Sequence, residues 1–264
     1  MSWQPARTYE LLTPDGRVLQ YCLYGADAGE PVIAHHGTPG TRWERPDVVA
    51  SMVENGLRVL LFGRPGYGSS RRAGRSVADV AADTELLADE LGWDRFAVTG
   101  FSGGGPHALA CAALLPDRVI RCSTVAGIAA PGTAALESLD WVLDARRGQN
   151  FLRDQLGRRG KEILGDFDPA VPDGGRYERM RATCVEGLEG WIDDYLALTK
   201  EWGFDPRAID APVDVWYGSV DDYTTIEHTE WLLATIPGAR GHEYRGGHDP
   251  DDAAQREIHR TLRS

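Results

Sequence analysis

The 264-residue sequence predicts an α/β protein built on a mostly parallel sheet. Short, continuous apolar runs that end in glycine are typical of strands buried on both faces of a sheet. Helical patterns separate these runs, as the right-handed connections between parallel strands require. One long helical stretch interrupts this alternation, so we expect a segment inserted into the sheet.

The first strands are predicted in residues 7–63. Residues 7–25 read as two antiparallel strands around the turn Pro14-Asp15-Gly16. The runs PVIAHHG (31–37) and LRVLLFG (57–63) are predicted to be buried parallel strands, and residues 45–55 between them look helical.

Residues 76–127 continue the alternation. Ser76 is predicted to cap a helix whose buried face recurs at steps of three and four residues. The next strand is RFAVTG (95–100), followed by the helix GGPHALACAALL (104–115) and the strand VIRCSTVAG (119–127). The buried face of the first helix comprises Val77, Val80, Ala81, Thr84, Leu87, Ala88 and Leu91.

The alternation stops from residue 128 to residue 210, where helical patterns dominate. It resumes with the strand APVDVWYG (211–218), a helix at 226–236, the strand ARGHEYRG (239–246) and a final helix at 251–262. We therefore predict a core domain of residues 1–127 and 211–264. Residues 128–210 are predicted to form a helical cap, or lid, over the carboxyl-terminal edge of the sheet. An apolar stripe in this cap comprises Val185, Leu188, Ile192, Tyr195, Leu196 and Thr199.

Charge and composition exclude several classes of partner. Forty acidic residues against 28 basic ones give a net charge of −12, of which −2 lies in residues 1–127 and −5 in each of 128–210 and 211–264. This balance argues against nucleic acid or an anionic membrane surface as a partner. We expect a small-molecule substrate and a monomer or homodimer.

The cellular setting is predicted from cysteines and apolar runs. The four cysteines contain no CxxC pair, so we expect buried, reduced thiols. The start of the chain has no signal-peptide core, and no apolar run approaches the ~20 residues that span a bilayer. A cytoplasmic protein is the expectation.

The strongest chemical motif is Gly100-Phe101-Ser102-Gly103-Gly104, which fits the pattern G-x-S-x-G. It follows a predicted strand and opens a predicted helix, which is the context in which a sharp turn exposes a nucleophilic serine. The alternative is a glycine-rich turn with a capping serine. We predict that Ser102 is the nucleophile.

A second motif, His35-His36-Gly37-Thr38-Pro39-Gly40, follows the predicted strand at 31–37. Acyl transfer requires two backbone N–H donors at the position of the developing oxyanion. Thr38 and Gly103 are the predicted donors. Adjacent strand residues point to opposite faces, so we do not expect His35 and His36 to bind a metal together, and no metal site is predicted.

A serine nucleophile needs a base and an acid that orients the base. His248 lies in a glycine-flanked loop before the last helix, and Asp221 follows the strand at 211–218. The order Ser102, Asp221, His248 along the chain is the order expected when the nucleophilic serine lies on a sharp turn between a strand and a helix, which we call the elbow. Asp222 is the alternative acid. Among the other histidines, His242 is predicted to be structural, and His228 and His259 are predicted to lie on helix surfaces.

With these motifs, the sequence resembles the α/β-hydrolase superfamily over essentially the whole chain. The segment Gly63–Ser70 (GRPGYGSS) resembles the Asp-x-Pro-Gly-x-Gly-x-Ser segment of that family, except that Gly63 stands where Asp is usual, which leaves Arg64 without its usual neighbour. The segment WGFDP (202–206) is similar to a segment found in bacterial members of the family. The resemblance implies an eight-stranded, mostly parallel sheet with a cap between strands six and seven, and no metal or organic cofactor.

The resemblance also indicates the type of reaction. Relatives that attack carbon directly carry Asp at the elbow, whereas Ser102 suits attack on a carbonyl of a small ester, lactone or thioester. The loop HGTPG (36–40) and the acids Glu186, Glu189, Asp193 and Asp194 raise a proline-iminopeptidase-like alternative. That family usually shows His-Gly-Gly-Pro-Gly, from which Thr38 departs.

Further alternatives stay open at this point. The same fold hosts cyclases, carbon–carbon hydrolases, lyases and perhydrolases, and fold alone does not choose among them. A ligand-binding protein without catalysis is a further class. An apolar substrate pocket is predicted from Trp43, Phe101, Trp141 and Trp191, which alternatively pack the cap against the core.

Overall fold

A computed structural model describes residues 5–68, 70, 72, 74–165 and 175–263. It contains an eight-stranded sheet in the order β1-β2-β4-β3-β5-β6-β7-β8. Strand β2 is antiparallel to both β1 and β4, and the remaining neighbours are parallel, so the predicted mostly parallel sheet is confirmed. The strands are β1 (Tyr9–Leu12), β2 (Val18–Gly25), β3 (Glu30–His35), β4 (Leu57–Phe62), β5 (Phe96–Phe101), β6 (Val119–Val125), β7 (Val213–Gly218) and β8 (Arg240–Tyr244).

Helices cover both faces of the sheet because successive strand residues point to opposite sides. Val32 and Leu61 pack in one apolar cluster with α1, and their neighbours Ile33 and Leu60 pack in another with α2 and α3. The described helices are α1 (Pro46–Glu54), α2 (Val80–Glu90), α3 (Gly105–Leu114), α4 (Ala134–Glu137), α5 (Asp140–Arg146), α6 (Gln149–Gly165), α7 (Arg176–Arg181), α8 (Leu188–Leu198), α9 (Ile226–Thr235) and α10 (Asp252–Thr261). None of these described helices is both long and apolar enough to cross a membrane.

The predicted cap at Ser76 is wrong, because α2 begins only at Val80. The Ser76 N–H and hydroxyl instead donate to Asp79 Oδ2 at 2.6 and 3.0 Å. The Ala78 N–H donates to the Trp202 carbonyl, so the backbone here pairs with the segment before β7 rather than with a first helical turn. The buried face of the helix is nevertheless as predicted, except that Leu91 is only half-buried.

Helices α4 to α8 all lie between β6 and β7, in what we call the β6–β7 segment (residues 126–212). Helix α8 follows a π-helical turn at Ala182–Glu186 and approaches the loop after β4 closely. The Gly190 N–H donates to the Gly66 carbonyl at 3.0 Å, and a side chain on Gly190 would overlap the Tyr67 ring. This close approach requires glycine at position 190.

The histidine and cysteine predictions have different outcomes. All four cysteines are buried and free, as expected. His228 and His259 are not surface residues, because they lie on the inner faces of α9 and α10 at 0% and 4% exposure. The Ala129 N–H donates to His228 Nδ1 at 2.9 Å, and His259 Nδ1 lies 2.8 Å from Ser51 Oγ. Helical spacing did not reveal which face these two side chains occupy.

Candidate active site

Ser102 lies on a sharp turn between β5 and α3. Its φ is 50°, in the left-handed region that costs a non-glycine residue of order 1–3 kcal/mol. The chain can pass through this turn because its flanking glycines have no side chains: a Cβ on Gly100 would overlap the Gly104 carbonyl, and a Cβ on Gly104 would overlap the His35 carbonyl. The G-x-S-x-G spacing is therefore a steric requirement of this turn.

Asp221 and His248 lie on neighbouring loops, after β7 and β8 respectively. Asp221 Oδ2 lies 2.9 Å from His248 Nδ1, and the Asp221 side chain is 2% exposed. The N–H groups of Tyr223 and Thr224 donate to Asp221 Oδ1, each at 2.9 Å. Burial alone would raise the pKa of Asp221, but the hydrogen bonds from His248 and Thr224 hold that pKa below its ordinary value. Asp221 is thus an ionised acceptor for Nδ1–H, and this hydrogen bond does not involve Nε2 of His248.

The alternative acid, Asp222, is exposed. The side chains of these two adjacent residues point in different directions because Asp221 caps the turn that leads into Tyr223 and Thr224. The structure therefore brings Asp221, and not Asp222, to His248.

Two aromatic rings hold His248 beside the elbow. The Phe101 and Tyr223 rings lie 5.0 and 5.1 Å from the imidazole ring, centroid to centroid. Tyr244 Oη donates to the His248 carbonyl at 2.9 Å. Across the described residues, Ser102 Oγ makes no hydrogen bond; in unliganded sites the bond from nucleophile to base is often long and tightens with substrate.

The loop after β3 brings Thr38 against Gly103. A Cβ built on Gly103 would lie 2.6 Å from Thr38 Oγ1, so the two residues touch. The Thr38 N–H donates to no other residue among those described, which leaves it available to a ligand. These two residues are the predicted oxyanion donors, and they are neighbours in space.

A fully buried carboxylate lies behind this loop. Asp194, on α8, accepts hydrogen bonds from Thr38 Oγ1 at 2.8 Å, Tyr67 Oη at 2.8 Å and Arg64 Nη2 at 2.5 Å. Arg75 Nη2 also pairs with it. Asp194 and Arg64 are both 0% exposed. Burial would raise the pKa of Asp194, but the two guanidinium groups hold that pKa well below its ordinary value.

Arg64 therefore has a carboxylate partner even though Gly63 replaces the usual acid. Arg64 Nη1 also donates to the His36 carbonyl at 2.7 Å, and Nη2 to the Gly37 carbonyl at 3.2 Å. The carboxylate partner of Arg64 comes instead from the β6–β7 segment, 130 residues away in the sequence.

The other acids of this segment are also paired. Asp193 accepts from Arg72 Nε and Nη2, both at 2.7 Å. Glu189 pairs with Arg72 and Arg153. The side chain of Glu186 lies outside the described part of the chain. Because arginine side chains pair with Asp193 and Asp194, these two acids form neither a solvated helix face nor an open acidic patch for a cationic substrate.

The predicted pocket residues divide into two groups. Trp43 and Phe101 line a cavity of about 600 Å³ beside the loop after β3, between α1, α10 and the sheet. Trp141 and Trp191 are 4% and 1% exposed and belong to the core, where Trp141 stacks on Tyr195 with ring centroids 4.0 Å apart.

Sequence reasoning missed two residues of the site. Thr224 donates to Asp221 Oδ2 at 2.6 Å and lies 3.3 Å from His248 Nδ1, and no motif singled it out. In the sequence, Asp194 is only one acid among several. The available signal was Arg64 itself, because a buried arginine needs a carboxylate from some part of the chain.

The described residues contain no group of three or more His, Cys, Asp or Glu side chains placed to hold a metal ion. His35 and His36 are 2% and 7% exposed. Burial lowers the pKa of His35 to about 3, so this ring is a neutral part of the interior.

Comparison with known proteins identifies relatives of this chain. Residues 30–171 match the family model described as the alpha/beta hydrolase fold. The 2-hydroxy-6-oxononadienedioate/2-hydroxy-6-oxononatrienedioate hydrolase of Klebsiella pneumoniae is 33% identical over 267 residues, covering 93% of this chain and 91% of that protein. The uncharacterized hydrolase YcgS of Bacillus subtilis is 32% identical over 114 residues, and the match spans only 39% of its length and 43% of this chain.

Among solved structures, a hydrolase from Pseudomonas aeruginosa PA01 has a TM-score of 0.70 at 24% identity, covering 92% of this chain and 91% of that chain. The sheet order, the sharp turn at Ser102 and the family match all indicate the same fold. This protein belongs to the α/β-hydrolase fold family.

Proposed function

We propose that the protein is a serine hydrolase that cleaves a small ester, lactone or thioester through an acyl-enzyme on Ser102. The hydrogen bond of 2.9 Å between Asp221 and His248 carries the proposal. It joins two loops beside the strained serine turn, and it leaves the His248 Nε2 lone pair available as a general base.

In this mechanism, His248 takes the Ser102 proton as Oγ attacks the substrate carbonyl carbon. The negative charge moves to the carbonyl oxygen, where the N–H groups of Thr38 and Gly103 stabilise it. Collapse of the tetrahedral intermediate breaks the bond to the leaving group, which receives the proton from His248. Water then attacks the acyl-enzyme, with His248 again accepting and returning a proton.

The proposal includes a cap formed by residues 128–210 over the site. The contact of Asp194 with Thr38 supports it, because it brings helix α8 of the β6–β7 segment to the predicted oxyanion loop. A cap that excludes water would strengthen each electrostatic interaction at the reacting carbonyl.

Labelling with a fluorophosphonate, followed by peptide mass spectrometry, tests the nucleophile. We expect modification at Ser102 and turnover of p-nitrophenyl acetate, and we expect both to disappear in Ser102→Ala. A folded wild-type protein that is not modified at Ser102 would contradict the proposal.

A second candidate is hydrolysis of a carbon–carbon bond, which the match to the Klebsiella pneumoniae hydrolase favours. Incubation with 2-hydroxy-6-oxononadienedioate, followed by chromatography, distinguishes the two. Turnover of that compound at least tenfold above turnover of p-nitrophenyl acetate would favour the second candidate.

The aminopeptidase alternative loses one of the observations that motivated it. Arginine side chains pair with Asp193, Asp194 and Glu189, so these acids do not form an open site for a substrate ammonium group. We expect no cleavage of proline p-nitroanilide under conditions in which p-nitrophenyl acetate is hydrolysed.

A further inference from the structure

The strongest feature that the proposed mechanism does not use is the buried carboxylate of Asp194. It is 0% exposed, and it lies on α8 of the β6–β7 segment rather than on the elbow or on the loops that follow β7 and β8. Its partners Thr38, Arg64 and Tyr67 all lie on the loops after β3 and β4. One side chain thus joins two parts of the protein that are distant in sequence.

We propose that Asp194 is a positioning residue for the oxyanion hole, which is assembled only when helix α8 is docked. The inference rests on the proposed function of Ser102, Asp221 and His248. Asp194 does not touch the reacting atoms, and it acts through Thr38 and Arg64.

The first route runs through Thr38. Thr38 Oγ1 donates to Asp194 Oδ2 at 2.8 Å, which fixes the side chain of the residue whose backbone N–H is the proposed donor. Thr38 Oγ1 also accepts from Arg64 Nη2 at 3.3 Å, so both members of the Arg64–Asp194 pair contact this hydroxyl. Together they select one rotamer of Thr38 against Gly103, whose missing side chain leaves room for Thr38 Oγ1.

The second route runs through Arg64. Its guanidinium group binds Asp194 on one side and the carbonyl groups of His36 and Gly37 on the other. These two carbonyls belong to the residues that precede Thr38. A guanidinium group held in a fixed orientation by a carboxylate therefore fixes the backbone that leads to the proposed donor.

Charge adds a third effect. Asp194 carries one negative charge and faces two buried guanidinium groups, since the Arg75 side chain is 3% exposed and that of Arg64 is 0% exposed. The neighbouring His107, 4.0 Å from Asp194 Oδ1, is neutral because burial holds its pKa well below its ordinary value. The charge of Asp194 thus attracts and orients both guanidinium groups, and Asp194→Asn removes that attraction.

Two variants test the proposal from opposite ends of the contact. Asp194→Asn removes the charge. Thr38→Val removes the hydroxyl, with its hydrogen bonds to Asp194 and Arg64, and leaves the Arg64–Asp194 pair and the Thr38 N–H in place. With p-nitrophenyl acetate, we expect each variant to lower kcat by roughly 10- to 100-fold with KM changed less than threefold, the size expected for a misplaced catalytic group. We expect the double variant to lose about as much as the more damaging single variant, and Thr38→Ser to recover most of the kcat that Thr38→Val loses.

Asp193→Asn is the matched control, because Asp193 is the adjacent residue on α8 and pairs with Arg72, away from the oxyanion loop. We expect its kcat to stay within twofold of the wild type. The proposal is overturned if folded Asp194→Asn and Thr38→Val both keep the wild-type kcat, or if Asp193→Asn is equally impaired.

Hydrogen exchange gives a readout that does not need activity. Peptides covering residues 36–42 should exchange at least tenfold faster in Asp194→Asn and Thr38→Val than in the wild type, with no change in Asp193→Asn. A wild-type protein that fails to label at Ser102 but shows this exchange pattern would contradict the proposed function and leave the positioning role standing. Unchanged exchange in both variants would overturn the positioning role, whatever the activity.

Discussion

Asp194 and Arg64 form an ion pair from which water is excluded, with 2.5 Å between Asp194 Oδ2 and Arg64 Nη2 and no exposure of either side chain. Removing one partner of a buried ion pair leaves the other charge uncompensated. The pair therefore ties helix α8 to the loop after β4.

The first prediction concerns stability. Asp194→Ala should lower the free energy of unfolding by about 3–5 kcal/mol, because two buried guanidinium groups lose their carboxylate. Urea unfolding monitored by circular dichroism measures the change. Asp193→Ala, whose partner Arg72 has a side chain 38% exposed, should cost only about 1 kcal/mol. Equal decreases in the free energy of unfolding of the two variants would contradict the fully buried ion pairing of Asp194.

The second prediction separates the two adjacent acids. Asp221→Asn should lower kcat by about 10⁴-fold, because an amide at this position favours the wrong tautomer of His248. Asp222→Asn should stay within twofold of the wild type, since its side chain is exposed and Asp221 is the one bonded to His248. Turnover of p-nitrophenyl acetate distinguishes them. The reverse ranking would assign the acid to Asp222.

The third prediction concerns the contact between Gly103 and Thr38. A Cβ at position 103 would lie 2.6 Å from Thr38 Oγ1, so Gly103→Ala must push the loop after β3 away. We expect kcat to fall by about 10²–10³-fold, as when one oxyanion donor is removed. Gly157→Ala in α6 is the control, since no atom lies within 4 Å of its added Cβ, and its activity should be unchanged. A normal kcat in Gly103→Ala would argue against Thr38 as a donor.

The fourth prediction concerns acid stability. Burial lowers the pKa of His259 from 6.5 to about 4, so between these values the unfolded chain binds a proton that the folded chain does not. The free energy of unfolding therefore falls as the pH drops from 6.5 towards 4, by about 1.4 kcal/mol per pH unit for this group. His259→Gln should flatten the profile by that slope, as measured by urea unfolding between pH 4.5 and 8. The difference at pH 8 reports packing and the hydrogen bonds of His259 to Ser51 and Gln255. Parallel profiles would contradict the buried, neutral histidine.

Local pattern determined most of the fold. Strand and helix periodicity predicted the alternation around the sheet, because burial of one face imposes its period on the sequence wherever an element lies. The turn at Ser102 was also readable, since its steric limits fall on Gly100 and Gly104, two residues away on either side. The start of α2 was not readable, because a contact between Ala78 and Trp202 decides it.

Side-chain direction and long-range pairing are what the sequence alone left open. Asp221 and Asp222 are adjacent and chemically alike, and only the turn geometry brings one of them to His248. His228 and His259 occupy helices whose inner faces are defined by what packs on them.

The partner of Arg64 lies 130 residues away on α8, so no local spacing could identify it. The sequence by itself thus indicated the family, the order of its motifs along the chain and the predicted nucleophile and base. The tertiary structure decided which carboxylate faces which cation, because electrostatic pairing in a buried site depends on distances that only the folded chain sets.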